Sequence, residues 1–146
     1  MKENLSSKKK LSIVSSDNKY YLNLFILYSL GHLGILLLSN SLFWDDWVIA
    51  DISEIINIER YSMIGSPIFG YIQNFLFRFG YWLPRLLTFW LMFFSGICLD
   101  KVIKKYSFFD KSKRFIIVSL FLLIPFNMSR VLLVCFPYTL CYFLFF

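Results

Sequence analysis

The most constraining feature of this sequence is a run of 25 residues, 20–44, that contains no Lys, Arg, Asp or Glu. As an α-helix it would extend about 37 Å at 1.5 Å per residue, and the hydrocarbon core of a bilayer is ~30 Å thick. Three further apolar stretches follow at residues 83–99, 115–127 and 131–146. We therefore predict an all-α polytopic membrane protein with about four transmembrane helices, the first of them tilted.

Composition excludes the soluble classes. Hydrophobic residues make up 58% of the 146 residues and charged residues only 16%, whereas a soluble domain carries about 25% charge. A chain this small cannot bury so much apolar surface, and disordered, collagen-like, coiled-coil and disulfide-scaffold chains are excluded by the same values. The three cysteines lie in apolar stretches and lack the spacing of metal-ligating cysteines, so no metal site is predicted. A divalent cation is left open as a cofactor.

The net charge of +6 is distributed unevenly along the chain. All lysines fall in residues 1–19 and 100–114, and acidic residues predominate in 45–82. Because cytoplasmic loops carry an excess of Lys and Arg, we predict a cytoplasmic basic tail (1–19), an outer loop (45–82) and a cytoplasmic loop (100–114). Membrane lipids of a bacterial plasma membrane are the expected partners. Nucleic acid is not expected, since no basic face exists outside the loops.

The predicted outer loop contains two amphipathic segments. In residues 48–60 apolar side chains recur at helical spacing opposite a polar face, and residues 68–79 follow a Gly-Ser-Pro turn signal at 65–67. Both are too short or too interrupted to span, so we predict two interfacial helices that lie along the outer membrane surface. Arg60 and Arg78 are interpreted as residues that reach lipid headgroups.

His32 lies near the middle of the first apolar stretch, between Gly31 and Gly34. An ionisable residue inside a membrane is a candidate functional group. Small residues on either side, however, allow a neighbouring helix to approach closely. We therefore interpret His32 as a packing residue that is neutral and hydrogen-bonded to a neighbouring helix.

An acidic pair, Asp45-Asp46, stands between Trp44 and Trp47 directly after the first stretch. Burial and like-charge repulsion at a membrane boundary raise the pKa of at least one such carboxylate, which suits a general base. The alternative interpretation is that the acidic residues only mark the outward end of a span. Asp45 and Asp46 are the candidate catalytic residues.

Arginines supply the candidate phosphate ligands. Guanidinium groups make bidentate contacts to phosphate that ammonium groups do not. Arg85 lies about one turn inside the second stretch, and Arg130 lies in the short turn between the third and fourth. For Arg85 the alternative, a side chain that reaches to headgroups, is equally compatible with the sequence.

The order of these features resembles the start of the GT-C class of membrane glycosyltransferases. The resemblance covers residues 20–146 and includes the Asp45-Asp46 pair, the two interfacial helices and the stretch from Arg130 to Pro137-Tyr138. It implies transfer of a sugar from a polyprenyl-phosphate donor to a cell-surface glycan or lipid. It further implies that Asp45 or Asp46 deprotonates the acceptor hydroxyl and that cationic side chains stabilise the leaving phosphate.

The chain ends at Phe146 within an apolar stretch. We therefore expect it to be the N-terminal portion of a longer or split protein, which leaves open whether the isolated chain is active. The alternative is a non-enzymatic four-span protein, such as a lipid-carrier flippase or an assembly partner, in which Asp45 and Asp46 are dispensable. A channel or transporter fragment is disfavoured, because no acidic residue lies well inside a predicted span.

Overall fold

The computed structural model describes residues 17–32, 41–43, 46–106, 109–124 and 133–145. Every regular element within these ranges is helical, which confirms the predicted all-α class. The elements are α1 (residues 17–32), α2 (Asp46–Ala50), α3 (Glu54–Met63), α4 (Pro67–Phe77), α5 (Trp82–Tyr106), α6 (Lys111–Leu123), a 3-10 turn (Leu133–Cys135) and α7 (Phe136–Phe145).

α5 is the one helix among the described residues that is long and apolar enough to cross a membrane. It contains the predicted span 83–99 but continues to Tyr106. The predicted loop 100–114 is therefore largely helical, since lysine is a good helix former and α6 already begins at Lys111. The other predicted spans, 20–44, 115–127 and 131–146, extend beyond the described residues, so the four-span arrangement remains a prediction.

α1 packs through a single stripe of side chains. Every fourth residue is buried, from Tyr20 through Leu24 and Tyr28 to His32, while Leu22 and Leu30 on the opposite side are exposed. Residues four apart lie on one face of an α-helix. The stripe joins a core cluster with side chains from α5 and α6, namely Phe89, Met92, Phe93, Val118 and Leu122.

The contacts of His32 support the packing role. Its Nδ1 lies 2.9 Å from the Tyr28 carbonyl oxygen, and its ring centroid lies 4.0 Å from that of Tyr28. The Tyr28 hydroxyl in turn donates to the Phe89 carbonyl on α5 at 2.9 Å. A Cβ on Gly31 would lie 2.6 Å from a side-chain carbon of Leu123 on α6, so this glycine permits a close helix approach. Gly34 lies outside the described residues.

A polar cluster joins α1, α5 and α6 near the C-terminal end of α5, which carries Lys104 and Lys105 in its last turn. Asp100, the first residue of the predicted loop 100–114, is buried and accepts hydrogen bonds from the Tyr20 and Tyr21 hydroxyls, both at 2.9 Å. The Arg114 Nε lies 3.7 Å from the same carboxylate. The two hydroxyl hydrogen bonds and the nearby guanidinium charge of Arg114 stabilise the Asp100 carboxylate in its buried position.

Residues 54–77, within the predicted outer loop, form a helical hairpin of α3 and α4. The single helix predicted over 48–60 is two helices, because Ser53 caps a new start by accepting a hydrogen bond from the Ile56 N–H. Gly65 makes the turn with a φ of +77°, a conformation that favours glycine. Large apolar side chains point outward along the hairpin, among them Ile55, Met63, Ile64, Ile68, Tyr71 and Phe75.

We expect Gly70→Ala to destabilise this hairpin. A Cβ at position 70 would lie 2.8 Å from the Ile58 Cα, a backbone atom that cannot rotate away. Overpacking of this kind costs about 1–3 kcal/mol, more than the ~1 kcal/mol that alanine gains over glycine in a helix.

The matched control is Gly31→Ala, whose Cβ would meet only the mobile end of the Leu123 side chain. Thermal unfolding of both variants in detergent, followed by circular dichroism, checks the prediction. A midpoint for Gly70→Ala equal to or above that of the control would contradict the close contact between α3 and α4.

Candidate functional site

The predicted site residue Asp46 begins α2 and is buried. Its backbone N–H donates to the Phe43 carbonyl at 2.9 Å, and the Phe43 N–H donates back to Asp46 Oδ2 at 3.2 Å. The other oxygen, Oδ1, accepts a 2.7 Å hydrogen bond from the Leu133 N–H, 87 residues away in sequence. The Asp46 carboxylate therefore binds the backbone of Phe43 and, at Leu133, the first residue of the 3-10 turn.

Arg85, in the first turns of α5, completes this arrangement. Its Nη2 donates to Asp46 Oδ2 at 3.2 Å and to the Ser41 carbonyl, and its Cζ lies 5.0 Å from the centre of the Phe43 ring. The preceding Pro84 fits the start of a helix, where a missing N–H breaks no intrahelical bond. The side chains of Arg85 and Asp46 are 1% and 0% exposed. A charge buried so completely is tolerated only with a partner of opposite charge.

A chain of amide hydrogen bonds links this ion pair to the hairpin. The Leu133 carbonyl accepts a 3.0 Å hydrogen bond from Gln73 Nε2. Asn57 Nδ2 donates to Gln73 Oε1 at 3.2 Å and to Asn74 Oδ1 at 2.7 Å, and Asn74 donates to the Glu54 carbonyl at 2.8 Å. Leu133 thus uses its N–H toward Asp46 and its C=O toward Gln73. The position of the hairpin is coupled through this residue to the ion pair.

A cleft of about 470 Å³ lies between the hairpin and α7. Its polar lining includes Asn57, Arg60 and Tyr61, and Ile64, Phe69 and Pro137 contribute apolar walls. Burial raises the pKa of the Tyr61 phenol to about 12, so this hydroxyl stays protonated as a hydrogen-bond donor. Cys135 of the 3-10 turn also lines the cleft, which places the cleft two residues from the bond between Leu133 and Asp46.

The structure brings two of the four predicted site residues together. Asp46 and Arg85, which are 39 residues apart, are brought into direct contact. Asp45 and Arg130 lie outside the described residues. Arg78 forms an exposed ion pair with Glu54, with 2.9 Å between Nη2 and Oε2, which lowers the pKa of Glu54. Among the described residues, no group of three His, Cys, Asp or Glu side chains could hold a metal ion.

The Asn57–Gln73–Leu133 connection and the cleft beside Arg60 were not predicted from the sequence. The available signal was that Asn57 and the Gln73-Asn74 pair are uncharged amides flanked by apolar residues in two amphipathic helices. Such amides need internal partners when buried. Comparison with protein-family models, with curated proteins and with solved structures gives no match for this chain.

Removing one charge of the buried pair is expected to be far more damaging than removing both. Arg85→Met leaves the Asp46 carboxylate buried without its guanidinium and should cost about 3–5 kcal/mol of unfolding free energy. The double variant Asp46→Asn/Arg85→Met should recover part of this loss, because no unbalanced charge remains.

A double-mutant cycle in detergent measures the coupling from the unfolding free energies of the two single variants and the double variant. Glu54→Gln, which removes a carboxylate from the exposed pair with Arg78, is the control and should have little effect. Additive losses in the cycle would argue against a functional ion pair between Asp46 and Arg85.

Proposed function

We propose that this chain is part of an integral membrane glycosyltransferase of the GT-C class. The protein would transfer a sugar from a polyprenyl-phosphate donor to a hydroxyl of a cell-surface glycan or lipid. The observation that carries the proposal is the buried Asp46–Arg85 pair, which anchors the end of the Asp45-Asp46 motif to α5 beside the cleft. A pair of acids that only marked the end of a span would need no buried arginine.

The two acidic residues have different roles in this proposal. Both Asp46 oxygens accept hydrogen bonds from within the protein, from Leu133, Phe43 and Arg85. We therefore assign Asp46 to positioning, together with Arg85, and the general-base role to Asp45. Arg85 was a candidate phosphate ligand from the sequence, but its contact with Asp46 leaves that role to Arg130 and to Arg60.

The reaction is a displacement at the anomeric carbon of the sugar. The acceptor oxygen forms a bond to that carbon while the bond from the carbon to the phosphate oxygen breaks. The acceptor proton passes to the Asp45 carboxylate, and polyprenyl phosphate leaves with the bonding electron pair. Guanidinium groups near the leaving oxygen stabilise the negative charge that develops there.

The membrane arrangement of the proposal has four spans with a cytoplasmic N-terminus, in a bacterial plasma membrane. The hairpin of α3 and α4 lies on the outer surface, and its exposed apolar side chains, up to 84% exposed at Met63, enter the interface. A polyprenyl phosphate combines a long apolar chain with an anionic head. The cleft offers the matching combination of apolar walls and Arg60.

Asp45→Asn in the full-length gene product should lower sugar transfer at least 100-fold, because a general base contributes about 10²–10⁴ to the rate. The measurement uses membrane vesicles supplied with a panel of radiolabelled polyprenyl-phosphate hexoses. Asp51→Asn, which removes an exposed carboxylate from the same loop, is the control and should leave transfer unchanged. Undiminished transfer by Asp45→Asn, or no use of any donor by the wild type, would overturn the proposal.

Arg60→Gln tests whether the cleft receives the donor phosphate. A hydrogen bond to a charged group contributes about 1.5–3 kcal/mol. The KM for the donor should therefore rise and kcat should fall, which lowers kcat/KM about 10-fold or more. Arg78→Gln removes the same charge from the opposite end of the hairpin and should change neither constant. Equal effects of the two variants would exclude a specific contact at Arg60.

A further inference from the structure

A second groove lies between the N-terminal ends of α1 and α6. Its volume is about 450 Å³, and it is lined by Lys19 and Asn23 of α1 and by Lys111, Ser112, Phe115 and Ile116 of α6. The Tyr20 ring, held by the bond of its hydroxyl to Asp100, forms part of the wall. Asp100 and Arg85 are 15 residues apart on α5, which is about 22 Å along a helix. The groove is therefore remote from the proposed catalytic site.

The groove is electropositive. The lining residues within the described part of the chain include two lysines and no acidic side chain. Lys111 Nζ lies 3.8 Å from Asp17 Oδ1 and 5.5 Å from the centre of the Tyr20 ring, which holds the ammonium group at the groove. Asp17 also accepts a 2.9 Å hydrogen bond from Lys104, and this bond lowers the pKa of Asp17. Two ammonium groups, those of Lys104 and Lys111, thus flank the Asp17 carboxylate. With Lys19 in the groove lining, the three lysines exceed this carboxylate by two positive charges.

Apolar surface begins directly next to these charges. Along α1 the side chains of Leu22, Ile26 and Leu30 are exposed, and along α6 the same holds for Ile116, Leu120 and Ile124. Both helices run from the groove toward these side chains, so Lys19 and Lys111 stand at the boundary between charged and apolar surface. In a membrane, cationic side chains at this boundary lie at the level of the lipid headgroups.

We propose that this groove binds the headgroup phosphate of an anionic phospholipid. Lys19 and Lys111 contact the phosphate, Ser112 and Asn23 donate hydrogen bonds to the headgroup, and an acyl chain lies along Phe115 and Ile116. The excess of positive charge favours a lipid with net negative charge over a zwitterionic lipid. The inference rests on membrane insertion of the chain and does not depend on sugar transfer.

The test titrates the full chain, purified in a neutral detergent, with phosphatidylglycerol, with phosphatidylcholine of the same acyl chains and with inorganic phosphate. Native mass spectrometry counts the bound lipids, and circular dichroism confirms that each variant is folded. We expect at least tenfold tighter binding of phosphatidylglycerol than of phosphatidylcholine. Lys19→Gln/Lys111→Gln should weaken phosphatidylglycerol binding about 30-fold.

Two further variants make the result specific. Lys101→Gln/Lys105→Gln removes the same charge from exposed positions of α5 outside the groove and should bind as the wild type does. Lys19→Arg/Lys111→Arg keeps the charge and should retain binding. Equal losses in the two glutamine variants, or equal affinity for both lipids, would overturn the proposal. Displacement of the lipid by inorganic phosphate at comparable concentration would overturn the lipid assignment in favour of a soluble phosphate.

Discussion

The ion pair between Asp46 and Arg85 is the interaction on which the arrangement of α2, the 3-10 turn and the start of α5 depends. Two charges with side chains 0% and 1% exposed are stable only if every partner is in place. Those partners come from separate parts of the chain: the segment before α2, the 3-10 turn and α5. Displacing any one of these three parts would expose a buried charge to solvent or leave it without its partner. The relative position of the three parts is therefore strongly determined.

A buried carboxylate with its hydrogen-bond donors lies near each end of α5, and the apolar core lies between the two clusters. Asp100 with its two tyrosines joins α1, α5 and α6 at one end, and Arg85 with Asp46 acts at the other. In lipid, apolar contacts discriminate weakly between alternative helix alignments, because lipid tails offer similar contacts. Hydrogen bonds to buried carboxylates have defined donors and distances. The two clusters thus specify how far each helix is shifted along its neighbours.

Local features of the fold were predictable from the sequence, and long-range pairings were not. Apolar periodicity and the Gly-Ser-Pro turn predicted helices on either side of residues 65–67. The loop predicted at 100–114 is mostly helical, because charge patterning reports membrane orientation rather than backbone conformation. Asp100 binds tyrosines 79 and 80 residues away, and no periodic signal encodes such a pairing. Asp46 and Arg85 were each candidates, but their mutual contact became evident only in three dimensions.

Leu133 joins the ion pair to the hairpin through its main chain alone, with the N–H bound to Asp46 and the C=O bound to Gln73. Nineteen of the twenty amino acids offer the same two groups, and only proline lacks the N–H. Natural selection can therefore vary the side chain at this position, within the limits of its buried volume, without altering the connection. In an alignment of relatives such a residue would look ordinary, although two parts of the site are coupled through it.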